Sequence, residues 1–282
     1  MKFETAKKII DEIAETNLIE TVTQVLVSEN GDPLTNPDML KILRYIKQKL
    51  PNISVSLFSN FQLMTQEIAE PLLAEKLIKA IYINLDSIDE KHYKQLKGLN
   101  LKIVLKNLKD FMITRNSIYP TMPIGIIIIP LQKYIQETII RLQFAPKKLS
   151  PENIINYKEI ENDGGKTKKH LTDEFPLQPQ DSITISAVML WAERGSVTPQ
   201  HRKGKCININ RVMNEAFISP DGDWYVCCFD SGNYIKFGNV IEKSITEIST
   251  CEKRTKIIDL LKEEKFDEIG YPCTTSICCE IS

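Results

Sequence analysis

The first 205 residues of this 282-residue chain contain no cysteine, and all seven cysteines fall between Cys206 and Cys279. A distribution so lopsided argues against disulfides stapling the whole fold and gives the C-terminal part a chemistry of its own. A charge imbalance is also missing: 36 basic against 37 acidic residues leave a net charge of −1. Bulk attraction to nucleic acid or to an anionic membrane surface is therefore not expected. The longest apolar run, Ile124 to Leu131, contains Gly125 and Pro130 and is too short to cross a bilayer. The opening MKFETAKKIIDEIAE is charged from the start and lacks the apolar stretch of a signal peptide. These absences predict a cytoplasmic protein whose thiols stay reduced and available to metals. With 42% hydrophobic and 26% charged residues, the chain has the material for one large core and a small appendage.

Strands and helices are predicted to alternate through the first part of the chain. Ala6, Ile9, Ile10 and Ile13 give an amphipathic opening helix with Thr5 as its cap. Val22–Val27, Ile53–Phe58, Ala80–Leu85, Ile124–Ile129 and Asn153–Ile160 read as strands. Between them lie helices capped at Asn36 with Pro37 first, opened at Thr65 and bent or restarted at Pro71, striped by Leu101, Val104, Leu105, Leu108, Phe111 and Met112, and spanning Tyr134 to Ala145. Such alternation implies parallel strands joined by helical crossovers, an α/β sheet or barrel. Residues 163–181 lack periodicity and read as a linker, and Ile183–Trp191 as a strand leading into the cysteine region.

The cysteine region begins with a hairpin. Pro220-Asp221-Gly222-Asp223 has turn chemistry between Phe217-Ile218 and Trp224-Tyr225-Val226, which places Cys227 at the end of the return strand, facing Cys206. Neighbours on a strand point to opposite faces, so one of Cys227 and Cys228 is a spectator. Gly238-Asn239-Val240 reads as a turn, Ser244 to Glu247 as a capping box, and the helix after it as broken near Cys251. A second cysteine group, Cys273, Cys278 and Cys279, ends the chain. Thiolates from the two groups suit an iron–sulfur cluster; zinc, and inert or disulfide-bonded cysteines, remain as alternatives.

In order along the chain, these pieces resemble the radical S-adenosylmethionine (SAM) enzymes that carry a C-terminal SPASM or shortened "twitch" domain. The resemblance rests on Asn30-Gly31-Asp32-Pro33-Leu34 as the loop after the first strand, Ser59-Asn60-Phe61 and Asn84-Leu85-Asp86 at later strand ends, and Asn162-Asp163-Gly164-Gly165. In the tail it rests on Cys206, Asp221-Gly222, Cys227-Cys228-Phe229-Asp230 and Gly238-Asn239-Val240. Singly, Gly31 to Pro33 is a turn, Ser59-Asn60 a helix cap and Asn84 a loop residue. The resemblance implies a partial (βα)6 barrel missing its first strand, followed by a small cysteine-rich hairpin and helix domain. It implies a SAM pocket at Gly31, Asp32, Pro33, Ser59, Asn60 and Asn84, because ligands of such folds bind at the carboxyl ends of parallel strands. It also implies an auxiliary [4Fe–4S] cluster on Cys206, Cys227, Cys273 and either Cys278 or Cys279. On this reading, residues 1–162 are barrel, 163–200 linker and last barrel elements, and 201–282 the auxiliary-cluster domain.

The family's CxxxCxxC loop, whose three thiolates hold the cluster that cleaves SAM, is not found in these residues. Two expectations follow. One is a truncated or fragmentary radical SAM enzyme, whose intact form uses a 5′-deoxyadenosyl radical on a peptide, sugar or small metabolite with an electron-donor protein as partner. The other is a non-catalytic, metal-binding accessory protein derived from such a barrel. No catalytic residue is assigned from the sequence.

Overall fold

The computed structural model describes residues 1–28, 31–128, 163–185, 205–230 and 232–274. In chain order these form α1 (Phe3–Glu15), α2 (Leu18–Thr21), β1 (Gln24–Val27), a 3-10 turn (Pro33–Thr35), α3 (Met39–Lys49), β2 (Ser54–Ser59), α4 (Gln66–Ala74), β3 (Ala80–Asn84), α5 (Glu90–Lys97), α6 (Leu101–Ile118) and β4 (Ile124–Ile128). There follow α7 (Asp163–Glu174), β5 (Ser182–Ile185), α8 (Ile209–Asn214), β6 (Phe217–Ile218), β7 (Asp223–Tyr225), β8 (Lys236–Asn239), α9 (Ile245–Ser249), α10 (Glu252–Lys262) and α11 (Phe266–Ile269). The chain divides into two units, Ile19–Val188 and Met1–Leu18 with Met189–Ser282.

The unit Ile19–Val188 is built on a five-stranded sheet in the order β1-β2-β3-β4-β5, with every neighbouring pair parallel. The alternation read from the sequence is thus the observed α/β architecture. Helical crossovers form because their apolar residues recur at helical spacing: Met39, Ile42, Leu43 and Ile46 are buried in α3, and Leu101, Val104, Leu108, Phe111 and Met112 in α6. The Asn100 side chain caps α6 by accepting from the Ile103 N–H.

Strand alternation gives the sheet two unlike faces. Val55, Leu57, Ile81, Ile83, Ile124, Ile126 and Ile128 fill one, all buried. The other carries Ser56, Phe58, Tyr82, Asn84, Gly125, Ser182 and Thr184. Phe58, Tyr82, Gly125 and Ser182 are in register across four strands, and the Phe58 and Tyr82 rings stack with centroids 4.7 Å apart. Gly125 is the strand residue beneath Tyr82: a Cβ there would lie 2.4 Å from Tyr82 Cδ1, so only glycine lets the ring lie flat on β4. At the opposite edge from the loops described below, Arg115 and Asp181 form a buried pair at 2.5 and 2.8 Å, and Asp181 also accepts from the backbone N–H of Ile124 and Gln178. One carboxylate therefore joins α6 to the starts of β4 and β5.

Several local expectations change. Residues 163–181 are not an aperiodic linker, since α7 occupies Asp163–Glu174 and buries Gly164, Thr167 and Leu171 along one stripe, with Phe175 buried just after it. A glycine and a threonine in that stripe hid its apolar character. Pro71 does not restart its helix; α4 runs through it as one element. Asn36 accepts from the Asp38 N–H at 3.0 Å just ahead of α3, and the cap position belongs to Asp38. The expected helix Tyr134–Ala145, the strand Asn153–Ile160 and the part of Ile183–Trp191 beyond β5 lie outside the described residues.

The other unit contains a three-stranded antiparallel sheet, β6-β7-β8. The expected hairpin is present: Gly222, at φ 89°, donates its N–H to Ser219 O and closes the turn between β6 and β7. Gly238 and Asn239 belong to β8 rather than to a turn. Lys236 on β8 pairs with Asp223 on β7 at 2.6 Å, and its hydrogen bond holds the Asp223 carboxyl below its ordinary range. The Ser244–Glu247 capping box opens α9, and the helical stretch breaks at Cys251, which precedes α10. In the same unit α1 meets the loop before α9, where Lys8 donates to Ile241 O at 2.7 Å.

Candidate functional site

The loops after β1, β2 and β3 all leave the carboxyl edge of the parallel sheet, and the sequence-derived pocket residues collect there. Asp32 is the joining group. Its carboxylate accepts from Ser59 Oγ at 3.0 Å, from the Asn60 N–H at 2.7 Å and from the Leu34 N–H at 2.9 Å. It thereby ties the turn after β1 to the end of β2, while Pro33 starts the 3-10 turn with its ring buried. Gly31 is required by backbone conformation, φ 126°, and not by crowding, because nothing lies within 4 Å of a Cβ built there.

Ser59 and Asn60 spend their side-chain oxygens on their own loop. Ser59 Oγ accepts from the Phe61 N–H at 3.0 Å and Asn60 Oδ1 from the Gln62 N–H at 2.9 Å, bends that carry Phe61 through φ 62°. Asn107 on α6 clamps the same loop by donating to Phe61 O and Gln62 O. What Asn60 still offers is its Nδ2 donor.

Asn84, the last residue of β3, differs from these. Its Oδ1 is buried and accepts no hydrogen bond. A buried amide oxygen without a donor is costly, and at a strand end facing loops it marks a place for a ligand N–H or O–H. Beyond it, Asp86 pairs with Lys97 at 2.7 Å. Tyr93 is fully buried, and burial, then the Asp86 charge, pushes its phenol above its ordinary range.

In the other unit Cys206, Cys227, Cys228 and Cys273 are all buried, and none is in a disulfide. Cys227 lies past the end of β7, in a loop where its carbonyl accepts from the Asp230 N–H. The strand-alternation argument for the Cys227-Cys228 pair therefore does not apply. Asp230 accepts from the Tyr234 and Ile235 N–H groups and caps its own loop. Asn208, two residues past Cys206, is buried with an Nδ2 that finds no acceptor. Cys251 is half-buried, with its sulfur 3.8 Å from Phe237 O. Among the described residues, no three His, Cys, Asp or Glu side chains gather around one metal position, and Cys278 lies outside them.

The sequence profile of the radical SAM superfamily matches residues 1–130, and that of SPASM, an iron–sulfur cluster-binding domain, matches residues 206–278. The chain is a radical SAM protein with a SPASM domain. Solved structures of similar fold include BtrN in complex with AdoMet and 2-DOIA, with TM-score 0.52, 12% identity, and coverage of 99% of this chain and 79% of that one. Another is anSMEcpe with bound AdoMet and the Cp18Cys peptide, with TM-score 0.52, 13% identity and coverage of 99% and 80%. A third is SuiB of Streptococcus suis, with TM-score 0.53, 14% identity and coverage of 100% and 71%. No curated protein matches the sequence.

The residues carry donor and acceptor chemistry suited to the two cofactors of a radical SAM/SPASM protein. At the sheet edge the unpartnered Asn84 Oδ1 is suited to a ribose hydroxyl, and Asn60 Nδ2 to an anionic or carbonyl oxygen. In the SPASM domain the buried thiols of Cys206, Cys227 and Cys273 have the chemistry of iron–sulfur ligands, and Asn208 keeps a buried Nδ2 donor without an acceptor. The structure brings together Asp32, Ser59 and Asn60 by direct contact. Asn107, Asn208 and Arg211 carry no motif; only the Arg211…Glu215 spacing, i to i+4, leaves a trace in the sequence.

Proposed function

We propose that the carboxyl edge of the parallel sheet binds SAM and that the SPASM domain holds an auxiliary [4Fe–4S] cluster, in the service of radical modification of a peptide or small metabolite. The observation that carries the SAM site is Asn84 Oδ1, a buried acceptor awaiting a donor beside a loop that Asp32 has already fixed. In radical SAM chemistry the cofactor supplies a 5′-deoxyadenosyl radical that abstracts a substrate hydrogen, with reducing equivalents from an electron-donor protein. This chain's part is to hold and orient. Asp32 fixes the turn after β1, Gly31 and Pro33 set its path, Asn60 and Asn84 offer one donor and one acceptor, and the Phe58–Tyr82 face lines the sheet below them. Cys206, Cys227, Cys273 and Cys278 are the thiolates assigned to the auxiliary cluster.

Calorimetric titration of SAM into the 282-residue chain tests the pocket. Saturable binding is expected, with Asn84→Ala weakening it about tenfold, the worth of one hydrogen bond that leaves its partner desolvated. Binding that Asn84→Ala leaves unchanged would place SAM elsewhere. A second reading is an accessory protein that binds metal without radical chemistry. Formation of 5′-deoxyadenosine by this polypeptide under a strong reductant would overturn that second reading.

A further inference from the structure

Arg211 is a cationic side chain that reaches a cysteine in the SPASM domain. Its Nη1 donates to Cys228 Sγ at 2.9 Å. The guanidinium is held in place from two other sides. Glu215, just past the end of α8, accepts from Nε at 2.9 and 3.0 Å and pairs with Nη2 at 2.8 Å, and the Phe217 ring lies under the group, 5.0 Å from Cζ. Arg211 is therefore a fixed donor and not a mobile surface charge. Its position along the chain gives that donor a purpose: α8 starts directly after Cys206, with the Ile209 N–H bonded to Cys206 O, so the Arg211–Cys228 contact ties the Cys206 segment to the Cys227-Cys228 loop.

We propose that Cys228 is not a cluster ligand but the handle by which Arg211 positions Cys227 beside Cys206, which makes Arg211 a positioning residue of the auxiliary site. This rests on the reading of the SPASM domain as cluster-bearing. The Arg211 guanidinium already occupies the Cys228 sulfur. The loop alone does not choose between the two cysteines, because β7 has ended before them. Arg211 makes the choice.

Anaerobically reconstituted full-length chain tests this by iron content, release of iron to a chelator and the visible spectrum. Cys227→Ala is expected to lose the cluster. Cys228→Ser, whose hydroxyl still accepts from Arg211, should keep wild-type loading, spectrum and release rate. Cys228→Ala and Arg211→Ala should keep the cluster but release iron about tenfold faster, the order expected of one lost charge-assisted hydrogen bond. Their double variant should be no faster than either alone, because both remove the same contact. Loss of the cluster in Cys228→Ser or Cys228→Ala would make Cys228 the ligand and overturn the proposal, as would additive effects in the double variant. Failure of the wild-type chain to take up iron would instead refute the cluster itself.

Discussion

Asp32 carries more of the pocket's geometry than any neighbouring residue, since one carboxylate receives three donors from two strand ends. Hydrogen bonds to an ionised group are the stronger kind, and removing the acceptor strands half-buried backbone N–H groups. Asp32→Ala is therefore expected to lower stability by about 1–3 kcal/mol and to weaken SAM binding together with it. Denaturant midpoints and SAM titration check both effects; a stable variant with unaltered SAM affinity would remove Asp32 from the site. Nothing in the sequence foretold this contact, because Asp32 and Ser59 are separated by a whole helix and only the parallel pairing of β1 with β2 brings them together. Asn84 was legible as a strand-end residue, whereas its unpartnered oxygen is a property of packing alone.

Elements were legible where apolar periodicity was strong. β2, β3, β4, α3 and α6 lie close to where their Val, Ile and Leu spacing put them. α7 escaped because its buried stripe includes Gly164 and Thr167, and only tertiary packing of Leu171 and Phe175 overrides that poor propensity. The Arg115–Asp181 pair, separated along the chain by 66 residues, was equally invisible and ties α6 to the starts of β4 and β5. Asp181→Ala leaves a guanidinium with 0% side-chain exposure unpaired, and should destabilise the unit by about 3–5 kcal/mol. The paired change Arg115→Met with Asp181→Asn, which removes both charges and keeps an acceptor for the Ile124 and Gln178 N–H groups, should be milder. Chemical denaturation of the two variants measures the difference; equal losses would mean that volume and not charge governs the site.

At the scale of the whole molecule, the chain contains a parallel sheet with a polar, aromatic face and a small domain in which cysteines are concentrated. Seven cysteines confined to the last part of a chain otherwise free of them announced the second half, and the order of strand-end loops announced the first. The sequence left the inorganic centre open between iron–sulfur and zinc, because thiolates serve either. Profile similarity to an iron–sulfur cluster-binding domain at residues 206–278 favours the first. The decisive measurement is the iron, acid-labile sulfide and zinc content of the anaerobically reconstituted chain, beside Cys206→Ala and Cys251→Ala. About four irons and four sulfides per chain are expected, lost in Cys206→Ala and kept in Cys251→Ala. One tightly held zinc with no iron uptake, or loss of the cluster in Cys251→Ala alone, would contradict that expectation.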